Sequence, residues 1–157
     1  MNEENGAMLL EEEDVAQEVP SDSRNYLIFF IDDLKLGVDA AYVVEILNNV
    51  AVTPLPVVPH YVRGVINMRG QLIPVMDVRL RLGKMENEGS SLLVVLDYEG
   101  TSIGILVDAV DKMISIPNRV VMPVPAHSQK LVNGMCTIPD GSGTMLVLDC
   151  VQLLSHD

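Results

Sequence analysis

From Tyr26 to Leu148 the chain alternates short apolar runs with turn residues. The runs are YLIFFI (26–31), LKLGVD (34–39), AVTPL (51–55), QLIPVMDV (71–78), SLLVVLD (91–97), TSIGILVD (101–108), VVMPV (120–124) and TMLVLD (144–149). Each is five to eight residues long, rich in Val, Ile and Leu, and bounded by Gly, Pro or Asp. That length and composition predict strands. Asp32-Asp33 and Tyr98-Glu99-Gly100 are short enough to be hairpin turns. Helical periodicity is weak. AAYVVEIL (40–47) fits one or two helical turns with Asp39 as cap, and Asp149 fits as the cap of a short final helix over CVQLLS. Many short strands punctuated by Gly and Pro imply an all-β sandwich or barrel with short helices.

The pattern repeats. Ile31-Asp32 is answered by Leu96-Asp97, Leu36-Gly37-Val38 by Ile103-Gly104-Ile105, Pro54–His60 by Pro123–His127, and Pro74–Val78 by Leu146–Cys150. The offsets run from 65 to 72 residues and stay in order. The implied organisation is an acidic, disordered tail over 1–24 and a folded part over 25–155. The folded part divides into two lobes, about 25–83 and 91–155, joined by the polar KMENEGS (84–90). Exchange of strands between the lobes stays open. A lobe of about 60 residues is marginal for a core of its own, so the two are expected to share a buried interface.

Charge adds detail. Of 22 Asp and Glu residues, eight fall in the first 24 positions, which carry −7 of the net −12. So acidic a chain lacks the excess of Lys and Arg that a general nucleic-acid binder needs, and its six aromatic residues make a poor base-stacking platform. No apolar run approaches the length of a membrane span, and the opening residues lack the basic and apolar regions of a secretory signal, so a cytoplasmic protein is expected. Cys136 and Cys150 sit among apolar residues and read as buried thiols.

Catalytic and metal chemistry find little support. His60 and His127 have no further ligands at useful spacing, and His127-Ser128 has neither a nucleophile elbow nor an orienting acid. Asp32-Asp33 reads as a turn. Phosphate-binding glycine loops are absent. The more informative stretch is 62–83, VRGVINMRGQLIPVMDVRLRLG. Gly64 and Gly70 suggest positive φ or a close backbone approach. Pro74 suggests an edge strand or a bulge. Arg63, Arg69, Arg79, Arg81 and Lys84 fall within 22 residues with Asp77 the only acid among them. They are either solvated strand ends or a docking face for an acidic partner, with Arg79 and Arg81 on one face of a strand and Val65 among the apolar neighbours.

This stretch resembles the signature of the CheW family, the adaptor proteins of bacterial chemotaxis. The likeness rests on Arg63-Gly64-Val65, Asn67-Met68-Arg69-Gly70, Ile73-Pro74-Val75, Asp77 and Arg79. YLIFFIDDLKLGVDAAYVVEIL (26–47) is similar to the family's start, with Val43, Glu45 and Ile46 in place, and weaker similarity continues through 104–110 and 146–149. The resemblance implies two small five-stranded β-barrel lobes packed around a shared hydrophobic core. It implies a non-catalytic scaffold, without cofactor or metal, that couples two partners. These are the cytoplasmic hairpin tip of a chemoreceptor (a methyl-accepting chemotaxis protein) and the regulatory domain of a CheA-type histidine kinase. Nucleic-acid binding and direct membrane insertion are not implied. Such a protein is cytoplasmic and is recruited to membrane-associated receptor arrays.

Carried over by motif, the receptor-binding residues are Val43, Glu45, Gly64 and Arg69, with Asn67 beside them. Glu45 either meets the receptor or pairs with Arg69 within the adaptor. Arg63, Val65, Arg79 and Arg81 form a possible docking surface. Gly64→Arg is then expected to block docking without unfolding. The alternatives are a CheW-like adaptor of a non-flagellar system, serving type IV pili or gene regulation, and more remotely a small-ligand-binding double barrel.

Overall fold

The computed structural model describes residues 22–85, 91–124 and 131–154. In chain order come β1 (Ser23–Ile31), β2 (Leu34–Asp39), a 3-10 turn (Ala40–Tyr42), β3 (Val43–Asn48), β4 (Val62–Met68), β5 (Gln71–Asp77) and α1 (Val78–Arg81). There follow β6 (Leu92–Tyr98), β7 (Thr101–Val107), β8 (Ala109–Pro117), a second 3-10 turn (Asn118–Val120), β9 (Met122–Pro123), β10 (Val132–Thr137), β11 (Thr144–Leu148) and α2 (Cys150–Leu154). Among the described residues no helix is long and apolar enough to cross a membrane.

The strands make two sheets, five strands in the order β3-β6-β7-β5-β4 and six in the order β8-β1-β2-β11-β10-β9. Neither sheet comes from one half of the chain. The β1–β2 hairpin sits between β8 and β11, and the β6–β7 hairpin sits between β3 and β5. The halves therefore trade their first hairpins, and each hairpin joins its host sheet through a parallel pair. The registers of the two sheets correspond: Gly37 faces Val147 as Gly104 faces Val75. Gly134 faces Val147 as Gly64 faces Val75, with a bulge just before each glycine.

This exchange explains the unbroken apolar runs. Along β1, Tyr26 and Ile28 pack inside the six-stranded sheet with Ile116, Ile138 and Met145, while Leu27, Phe29 and Ile31 enter a core shared by both sheets. Along β6, Leu93 and Val95 pack inside the five-stranded sheet with Ile66 and Ile73, while Val94 and Leu96 enter the shared core. Both faces of these strands are buried, so YLIFFI and LLVVL need no polar alternation. Phe29 is fully enclosed, and its truncation to Ala is worth about 3–5 kcal/mol.

Local differences from the sequence reading have physical causes. Asp39 does cap a helical turn, accepting a hydrogen bond from the Ala41 N–H at 2.9 Å, but the turn stops at Tyr42 and VVEILN continues as β3. The β-branched Val43 and Val44 favour the strand. AVTPL contributes only a bridge from Thr53 to Val65, because Pro54 and Pro56 lack donors for a ladder. β1 starts at Ser23, so Ser23 and Arg24, assigned to the tail from sequence, are paired with Pro117 and Ile116. Pro74 is neither at an edge nor at a bulge. β5 lies between β4 and β7, and the polar groups of its partner Val65 turn away to Thr53, with N···O distances of 2.8 and 2.9 Å. Pro74 is thus a non-hydrogen-bonded partner of Val65, and the ladder to β7 starts one residue later, at Val75. The acidic segment 1–21, positions 86–90 of the joint, His127-Ser128 and His156 lie outside the described residues.

Candidate functional site

The site is built on the rim of the five-stranded sheet, whose two edge strands are β3 and β4. The β4–β5 turn is tight. Arg69 has φ 54° and Gly70 φ 85°, and the Asn67 Oδ1 accepts a hydrogen bond from the Gly70 N–H at 2.9 Å. Asn67 therefore shapes the turn, and Arg69 stands at its tip with 71% of its side chain exposed. The Arg69 Nη1 donates to the Glu45 Oε1 at 2.9 Å. Glu45 belongs to β3 and Arg69 to the hairpin that includes β4, so this ion pair ties the two edges together and the sheet curls into a barrel. Of the two roles open to Glu45 from sequence, the structure shows the internal one.

β3 also carries a feature the motif reading did not single out. Val44 is 53% exposed and Ile46 42%, on the face of the strand opposite Glu45. An ordinary solvated edge places polar residues there. Two neighbouring apolar side chains on an edge mark an interaction surface. The sequence signal was VVEIL itself, apolar on both faces where alternation should leave one polar. Val43, at the start of β3 and before the bulge that precedes Glu45, packs against the shared core.

Gly64 is a packing position. Its φ is 143°, and a Cβ there would lie 1.9 Å from the Thr53 carbonyl oxygen. Any side chain collides with the backbone of the strand-like segment covering β4, so Gly64→Arg disrupts the fold locally instead of only blocking a partner. Val65 is held in the same contact through its bridge to Thr53.

The basic run 63–84 does not form one docking face. Arg63 donates to the Asp77 carboxylate at 3.0 Å, and Asp77, only 4% exposed, also caps α1 by accepting from the Arg79 N–H at 2.9 Å. Arg79 lies in a helical turn, not a strand, so it does not share a face with Arg81 two positions on. Its side chain is 12% exposed and bonds Asp32 at 2.6 Å, Asp108 at 2.8 Å and the Met85 carbonyl at 2.9 Å. It is a strut between the exchanged hairpins, joining the β1–β2 turn to the end of β7. The Arg79 hydrogen bond holds the Asp32 carboxyl below the usual carboxylate range. Arg81 stacks over Tyr61, 4.7 Å from the ring centroid.

Among the described residues no catalytic constellation assembles at this rim. Burial raises the Cys136 thiol above its ordinary value and pushes Cys150 up to about 12, so both stay protonated at neutral pH. Among the described residues no three His, Cys, Asp or Glu side chains cluster closely enough to hold a metal.

Comparison with known proteins fits this geometry. The model of the CheW-like domain matches residues 25–157. The chain is 32% identical over 112 residues to the chemotaxis protein CheW of Rhizobium meliloti, covering 70% of this chain and 72% of that one. It is 29% identical over 134 residues to the protein FrzA of Myxococcus xanthus, covering 84% and 82%. Among solved structures, the scaffolding protein TtCheW of Thermoanaerobacter tengcongensis superposes with a TM-score of 0.73 at 27% identity, over 80% of this chain and 88% of that one. With two hairpin-exchanged sheets around one core and the RGVINMRG turn at their rim, the chain belongs to the CheW family, a family of chemotaxis scaffolds and not of enzymes.

Proposed function

We propose that this scaffold couples the cytoplasmic hairpin tips of chemoreceptors to the regulatory domain of a CheA-type histidine kinase, within membrane-associated receptor arrays. The observation that carries this reading is the edge strand β3, with an exposed apolar pair, Val44 and Ile46, on one face and the Arg69–Glu45 ion pair on the other. A receptor tip is an antiparallel helical pair. Its apolar stripe suits the exposed face of an edge strand, and Arg69 offers a charge-assisted donor at the same edge of the sheet. Arg69 is pre-positioned by Glu45, so little side-chain freedom is lost on docking. Val43, Gly64 and Asn67 act here as supports that set the strand, its cover and the turn.

Pull-down of receptor fragments and of kinase by wild-type and Arg69→Ala chains tests the reading. Arg69→Ala weakens receptor binding by about 1–3 kcal/mol and leaves kinase binding in place. Undiminished receptor capture by Arg69→Ala contradicts it. Similarity to FrzA, whose name sets it apart from the chemotaxis CheW proteins, favours a second reading in which the array served is non-flagellar. The identity of the receptor and kinase genes beside this one separates the two.

A further inference from the structure

A cavity of about 390 Å³ opens beside α2, away from the Arg69 turn, between residues of β4, β5, β7 and α2. That volume lies within the roughly 300–1,000 Å³ of small binding sites. Val62, Met76, Ile103 and Leu153 make its wall largely apolar, and Arg81 and Tyr61 stand together in its lining. Arg63, Arg69 and Arg79 each hold a carboxylate, whereas Arg81 has none within ion-pair reach among the described residues. Its guanidinium is held on the Tyr61 ring. A stacked guanidinium keeps its N–H edge available in a fixed direction, the arrangement that suits a bidentate carboxylate. A ligand that satisfies both features has an aliphatic part and an adjoining carboxylate.

One segment of this chain has that chemistry. Residues 1–21 carry seven acids and no base, and within them Met8-Leu9-Leu10 runs directly into Glu11-Glu12-Glu13. Eight residues, 14–21, link Glu13 to Asp22, where the described structure starts. Extended, this link spans on the order of 30 Å. Arg24 lines the same hollow as Cys150 and Val151 of α2, and Gln152 and Leu153 of that short helix line the cavity, so the link is long enough to bring the segment to it. Tethering also supplies a local concentration in the millimolar range, which makes even weak intrinsic affinity sufficient.

We propose that Met8–Glu13 docks into this cavity of its own chain, with Leu9 and Leu10 against Ile103 and Leu153 and a glutamate on Arg81. The inference is independent of the receptor and kinase reading, because it uses neither the β3 rim nor Arg69. It gives the acidic segment a place and gives Arg81 the counter-charge that its neighbours in the basic run already have.

A spin label on Met8→Cys in the full chain tests it, since both native cysteines are buried and label slowly. The expected result is strong paramagnetic broadening of the Val62, Ile103 and Gln152 amides. The broadening is independent of protein concentration, and it is lost both in Arg81→Glu and in the double variant Leu9→Ser/Leu10→Ser. The double variant changes nothing in the described fold, so its outcome stands even where Arg81→Glu fails to fold. Uniform broadening overturns the proposal, as does cavity broadening that survives the Leu9→Ser/Leu10→Ser change. Broadening that grows with concentration also overturns it, by assigning the cavity to another copy's segment.

Discussion

The two barrels close their seams with the same device and opposite signs. In the five-stranded barrel the acid, Glu45, lies on the edge strand β3 and the base, Arg69, on the β4–β5 turn. In the six-stranded barrel the base, Lys112, lies on the edge strand β8 and the acid, Asp140, near the β10–β11 turn. Registers, bulges and helix caps correspond between the halves. The Asp77 N–H donates to Tyr61 and the Asp149 N–H to Leu131, both at 2.8 Å. Repetition has therefore preserved backbone geometry while leaving surface chemistry free to diverge. Two frames of one shape can then present different faces to different partners. The strut differs as well: the position two residues past the cap is Arg79 in one half and the exposed Val151 in the other.

The largest expected break in this symmetry is at the paired glycines. Gly64→Ala drives a Cβ into the Thr53 backbone at positive φ and costs about 3 kcal/mol or more. At Gly134 the nearest atom to a Cβ is the Val121 Cγ1 at 3.0 Å, a side chain able to shift, so Gly134→Ala costs about 1 kcal/mol. Urea titration of both variants compares them, and equal losses contradict the difference described.

Next in size is the strut. Arg79→Met leaves Asp108 without this charge-assisted bond and lowers stability at pH 7 by about 1–3 kcal/mol. The Asp32 carboxyl is held below its ordinary value in the folded chain, so its contribution is complete above a pH of about 4 and fades as the pH falls through the folded-state value. Thermal melts between neutral and strongly acid pH then show a shallower acid loss for Arg79→Met than for wild type. Identical slopes contradict the assignment of this acid sensitivity to the strut.

Smaller effects separate binding from folding. Arg69→Ala changes stability by no more than about 1 kcal/mol, as an exposed ion pair should, while weakening receptor capture. Asp140→Ala, its counterpart in the other barrel, leaves receptor capture unchanged. Asn67→Ala removes the turn's bond to Gly70 and costs about 1 kcal/mol, measured by the same titration.

Much of the strand content was legible because apolar runs bounded by turn residues are a local signal, and the hairpin turns at Asp32 and Glu99 followed from the same rule. β8 and β10 were not. Lys112 and Asn133 interrupt their apolar patterns, and pairing with β1 and with β11 supplies what local sequence does not. The exchange of hairpins left only an indirect trace, the double-sided apolarity of YLIFFI and SLLVVLD, since which sheet a hairpin joins is a long-range matter. At the site, the spacing of Glu45 and Arg69 says nothing of their contact, which needs the barrel closed. Arg79 and Arg63 read as surface charge in sequence and prove to be held by Asp32, Asp108 and Asp77 from distant segments.

The central claim is that this chain acts by bridging. Co-sedimentation of a CheA-type kinase with receptor fragments, with and without the purified chain, tests it most directly. The account predicts that the kinase pellets with receptor only when the wild-type chain is present, and that Arg69→Ala sharply reduces the pelleted fraction. Kinase pelleting unchanged by the chain, or remaining in the supernatant in its presence, contradicts it.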